Sequence, residues 1–168
     1  MLQYPHQVLP YYHGGTNMKL ANALSERSDL QKRISELGGR LNQNSKVMEG
    51  DEPSEDPSEL LSELDRDLVR LEELIAHINI TNNETITPDG KRLTDLLARR
   101  DCLKQRIIIL RSFLDSASAR VNRYTTTEIK ILSTVSVADL QKQVDSYSQE
   151  LRKTEELIQE LNWTTELI

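Results

Sequence analysis

The sequence predicts an all-α protein: four long antiparallel helices arranged as two duplicated helical hairpins in a coiled-coil-like bundle. Three observations predict it. Leu and Ile recur at alternating steps of three and four, which puts them on one stripe of a helix and lets helices pack side by side. Charged residues form 29% of the chain against six Gly and five Pro, a balance that favours long helices. The helical segments also match one another in pairs.

The first helix spans 19–43, with Ala23, Leu30, Ile34, Leu37 and Leu41 on its seam and Gly38-Gly39 weakening its end. An acidic loop, EGDEPSEDPSE, follows, and Ser58 is placed to cap the second helix. That helix carries the stripe Leu60, Leu64, Leu68, Leu71, Ile75 and Ile78. Pro88-Asp89-Gly90 marks a turn. The third helix then sets Leu93, Leu96, Arg100, Leu103, Ile107, Leu110, Leu114, Ala117 and Val121 on one seam, broken only by Arg100. The fourth starts at Val137 and runs through Leu140, Val144, Tyr147, Leu151, Thr154, Ile158 and Leu161. Before it, TEIKILSTVSV is rich in β-branched residues, so a short β segment is expected near 128–135, paired with Ser45–Gly50 or with its own copy. At 1.5 Å per residue, helices of this length are rods of roughly 37 Å. Such rods have large sides and little interior, so burial calls for a second chain.

The two halves correspond. LANALSERSDLQKRISEL (20–37) aligns with LTDLLARRDCLKQRIIIL (93–110), pairing Arg27 with Arg100. EELIAHINIT (72–81) aligns with EELIQELNWT (155–164), pairing Asn79 and Thr81 with Asn162 and Thr164. Antiparallel hairpins would then gather Arg27, Arg100, His77, Asn79, Asn162 and Trp163 at one bundle end, beside two helix N-termini. Two readings of this polar group stand. In one it is structural: the arginines pair with Glu72, Glu73, Glu155 or Glu156, the asparagines cap helix C-termini and Trp163 plugs the end. In the other it is an anion or nucleotide site.

Residues 1–17, MLQYPHQVLPYYHGGTN, hold three of the five tyrosines and two of the three histidines, and read as a flexible extension to a single domain over 18–168. They lack a basic n-region and an apolar core of the kind a secretory signal has. No run of about 18 apolar residues is present, so no membrane span is expected. One cysteine, Cys102, allows no intrachain disulfide, which suits the cytoplasm. Charge is segregated beneath the net value of −6. Residues 49–75 carry eleven acids and two bases, and residues 91–130 carry ten bases and four acids. The basic third helix raises nucleic-acid binding, but an acidic chain repels a polyanion, so neutralisation within the chain or an oligomer is expected instead.

No catalytic constellation is legible. His77 is the only histidine outside the extension, and no HExxH pair, repeated Glu-x-x-His pair, phosphate loop or nucleophile elbow occurs. No catalytic residue, metal or cofactor is therefore expected. From Met18 onward, LSERSDLQKRI, INITNNET, LLARRDCLKQRI, RYTTTEIK and ELNWTTEL resemble a small bacterial family whose members are sometimes labelled septicolysin. The resemblance implies no active site, and the sequence offers no membrane-inserting hairpin to support a cytolytic role. The expected function is that of a non-enzymatic, self-associating bundle, a homo-oligomer or a binder of a protein partner.

Overall fold

The computed structural model describes residues 18–119 and 132–168, and its regular structure is helical. Four helices follow in order: α1 (Leu20–Gln43), α2 (Pro57–Glu84), α3 (Leu93–Ser118) and α4 (Val137–Thr164). They form two hairpins, as the periodicity predicts. The chain divides into two compact units: the described residues up to His77 together with Glu166–Ile168, and Ile78–Thr165.

In the first unit α1 and α2 run antiparallel, since ion pairs cross from Glu26 to Arg70, from Arg33 to Asp67 and from Arg40 to Glu63. Leu20, Ala23, Leu30 and Leu37 of α1 are buried, as their spacing predicts. The α2 seam differs from the expected stripe. In this unit its inward side runs through Leu60, half-buried Asp67 and Leu74, while Leu68 and Ile75 stand 44% and 38% exposed. The cause is a polar pair that apolar periodicity cannot register. Arg33 Nε stands 2.8 Å from Asp67 Oδ2, and this neutralises a carboxylate inside the seam. That oxygen is buried and has charge compensation without an aligned hydrogen bond.

The α1–α2 loop is organised by three side chains. The Arg40 guanidinium reaches Glu55, with Nε 3.1 Å from each carboxylate oxygen. Buried Asn44 donates to the Arg40 carbonyl at 2.9 Å and accepts from the Glu55 amide at 3.0 Å. Asp56, one residue before the helix, caps α2 by accepting from the Ser58 amide at 2.8 Å. Ser58 therefore lies inside the helix, and Pro57 takes the first helical position, where its missing N–H costs nothing. Glu166–Ile168 join this unit through the Leu167 amide, which donates to the Met18 carbonyl at 2.8 Å, and through the Lys19–Glu166 pair at 3.3 Å.

The second unit begins with the last turns of α2. INITNNE stays helical to Glu84 despite its β-branched residues, because Ile78 and Thr81 are fully packed and burial outweighs propensity. The turn at Pro88-Asp89-Gly90 forms as expected. Gly90 takes φ +80, and the buried Thr87 hydroxyl accepts from the Lys91 amide at 3.0 Å. α3 packs on α4, with Leu93, Leu96, Leu103 and Ile107 facing Leu140, Val144, Thr154 and Ile158 across their shared core. Both predicted seams are realised over the described residues; Val121, the last expected position of the α3 seam, lies outside them. Ser136 caps α4 by accepting from the Asp139 amide. Of the expected β segment, 128–131 lie outside the described residues and 132–135 form a bend held by Ser133 and Val135. Ser45–Gly50 likewise carry no strand. The predicted extension, 1–17, also lies outside the described residues.

The Arg33–Asp67 pair can be tested by asymmetry. Arg33→Met strands a buried carboxylate oxygen and lowers stability by ~1–3 kcal/mol, whereas Asp67→Leu is neutral or stabilising. Urea denaturation of both variants reads the difference. Equal effects would contradict this account of the seam.

Candidate functional site

The six polar residues predicted to gather at one end fall in both units. Arg27 and His77 belong to the first, and Asn79, Arg100, Asn162 and Trp163 to the second. Arg27 is half-buried on α1, and its Nε is buried without a hydrogen-bond partner. The His77 ring Nδ1 meets the main-chain oxygen of Ile168. Asn79 lies inside α2 and Asn162 inside α4, so neither is a C-cap. Among the described residues only Gly50 and Gly90 have positive φ, which rules out the left-handed asparagine expected there. Trp163 is 63% exposed. Arg100 pairs with its neighbour Asp101 at 2.8 Å instead of with Glu155 or Glu156.

Arg100 does line a groove of about 680 Å³ between α3 and α4 of the second unit, with Lys104, Arg152, Glu155, Glu156 and Gln159. Periodicity gave no hint of Arg152, an outward base on α4. Three bases and two acids share the groove, and Lys104 is already tied to Glu155 at 2.8 Å. An anion entering it would compete with carboxylates on the same wall. The groove is therefore close to charge-compensated, a poor trap for anions.

The second feature is apolar. On α2, Leu61, Leu68 and Ile75 recur every seven residues and are exposed, with Val69 beside them. On α3, Ile109 and Phe113 stand 59% and 45% exposed on the face turned away from the seam, with exposed Cys102 two turns earlier. Cys102, Gln105, Arg106, Ile109 and Leu110 surround a shallow apolar recess of about 390 Å³. The signal for this face was present in RIIIL: the seam uses Ile107 and Leu110 and leaves Ile108 and Ile109 unaccounted for.

Ion pairs form within each hairpin. On the first, Arg40, Arg33 and Arg70 serve Glu55, Asp67 and Glu26. On the second, Arg99 donates to Glu150 at 2.7 Å and Lys104 pairs with Glu155. Asp65 and Glu72 on α2, and Arg106 on α3, have no ion pair among the described residues. The Arg106 guanidinium lies over the Tyr147 ring, 4.8 Å from its centroid. Among the described residues no group of His, Cys, Asp and Glu is arranged to hold a metal ion, and no helix is long and apolar enough to cross a membrane.

Residues 27–167 match a family of unknown function, DUF6847, and the chain belongs to that family. Its fold is similar to the crystal structure of a functionally unknown conserved protein from Corynebacterium diphtheriae. The two share 38% identity over 91% of this chain and 100% of that one, with a TM-score of 0.82. No curated protein matches.

The Arg40 hydrogen bond holds the Glu55 carboxyl below the ordinary glutamate range, with the guanidinium charge adding to it against partial desolvation. A lowered folded value means that this contribution is present above the ordinary glutamate pKa and is lost as pH falls through the folded value. Arg40→Gln should return the Glu55 titration, followed by carboxyl ¹³C NMR, to the ordinary range. An unchanged midpoint would contradict the pairing.

Proposed function

We propose that the protein is a non-enzymatic helical module that acts by self-association. The observation that carries this reading is the apolar residues left outside the hairpin seams: Leu61, Leu68 and Ile75 on α2, and Ile109 and Phe113 on α3. Fully burying one Leu, Ile or Phe side chain is worth ~1.5–3 kcal/mol. Five such side chains left half-exposed represent several kcal/mol available to a partner surface. Exposed ion pairs contribute about 0–1 kcal/mol each, so the apolar faces dominate. The single cysteine, Cys102, suits a reducing compartment, and we assign the assembly to the cytoplasm. The septicolysin label and nucleic-acid binding form no part of this proposal. Capture of a small anion is disfavoured by Glu155 and Glu156 in the Arg100 groove.

Sedimentation velocity on the wild-type chain tests the reading. The expected result is a species heavier than one chain at micromolar concentration, with the heavier fraction growing as concentration rises. A single monomer throughout would overturn it.

A further inference from the structure

The repeat shows which apolar residues a hairpin needs. Aligning EELI of α2 (72–75) with EELI of α4 (155–158) and extending it back without a gap sets Leu61, Leu68 and Ile75 on Val144, Leu151 and Ile158. Val144 and Ile158 are 3% exposed, because this side of α4 packs on α3. Their counterparts on α2 are open, because α2 turns the Leu60–Leu74–Ile78 side inward instead. The α2 stripe therefore keeps the apolar character of a packing face that its own hairpin does not use.

The outward face of α3 shows the reverse asymmetry. Counting back 73 residues, Cys102, Ile109 and Phe113 correspond to Asp29, Glu36 and Arg40 on α1. A hairpin of this design tolerates charge at those positions, so their apolar character in the second copy is not required for the α3–α4 contact.

The charges beside the two faces are opposite. Among the described residues, Asp65 and Glu72 border the α2 stripe without a basic partner, and Arg106 borders the α3 recess without a carboxylate. Two α2 stripes brought together would set like carboxylates against each other, and two α3 faces would do the same with guanidiniums. Only α2 against α3 matches in both polarity and charge.

We propose that the α2 stripe of one copy docks on the outward face of α3 of a second copy, with Leu68 at its centre, Ile109 and Phe113 beneath it, and Asp65 and Glu72 facing Arg106. This deepens the self-association reading and rests on it. The contact is heterologous: each copy offers one face and receives the other, so assembly continues until the geometry closes.

Two single variants and their mixture test it by sedimentation velocity, with circular dichroism confirming that each remains helical. Leu68→Glu loses the α2 face and Ile109→Glu loses the α3 face; both positions are exposed, so the hairpins stay intact. Each variant alone is expected to be monomeric. Their equimolar mixture is expected to form a dimer and stop there, because each copy retains the face the other lacks. Arg106→Glu is expected to weaken wild-type association on the order of tenfold, and Glu72→Lys in the same chain to restore it. Association of either variant by itself, or no complex in the mixture, overturns the heterologous contact. Failure of the charge swap to restore binding overturns the placement of Glu72 against Arg106. A monomeric wild type removes the self-association reading itself, whereas these variant outcomes leave that reading standing.

Discussion

A helix in a two-helix hairpin can bury one stripe, and everything else follows from which stripe each helix spends on its neighbour. α1, α3 and α4 present Leu and Ile at alternating steps of three and four; Leu30, Leu37, Leu103, Ile107, Leu140 and Ile158 are buried, and Ile34, Leu110 and Leu151 are half-buried. α2 has apolar residues on two adjacent stripes and can turn only one inward. It turns the one carrying Asp67, since Arg33 is positioned to neutralise it. Leu61, Leu68 and Ile75 are left outside as the direct cost of that rotation.

Polar side chains set the boundaries that apolar packing leaves loose. Arg40, Asn44 and Glu55 close the α1–α2 loop, Asp56 starts α2, and Thr87 with Gly90 turns the chain into α3. Asn44, Asp56 and Thr87 hydrogen-bond main-chain groups at or beside helix ends, Arg40 and Glu55 pair with each other, and Gly90 supplies a positive φ. In the acidic loop Glu55 and Asp56 are specific acceptors, and Arg33, Arg40 and Arg70 offset part of the acidity of the first hairpin. Asp65, Glu72 and Arg106, which have no ion pair among the described residues, lie beside the two open apolar faces.

The hairpins, three of the four seams and the turn at Pro88-Asp89-Gly90 were legible because each depends on local spacing or on a residue with restricted backbone geometry. The α2 seam was not, because Asp67 and Thr81 occupy inward positions that look polar until Arg33 and the packing around Ile78 are known. The helix ends were misread for a related reason: Asn79 and Asn162 look like caps, yet burial of Thr81 carries α2 on to Glu84. Of the expected polar cluster, Arg100 lines a groove that periodicity does not reveal, and it pairs with its neighbour Asp101. The outward face of α3 could have been found by removing the seam residues from RIIIL and asking what the remaining isoleucines touch.

Side-chain accessibility as a function of concentration tests the central claim most directly. Hydroxyl-radical footprinting of dilute and concentrated wild-type protein should show Leu61, Leu68, Ile75, Ile109 and Phe113 losing reactivity together as concentration rises. Trp163, exposed but outside both faces, should stay reactive throughout. Protection that appears at Trp163 while Leu68 and Phe113 remain reactive would contradict the account.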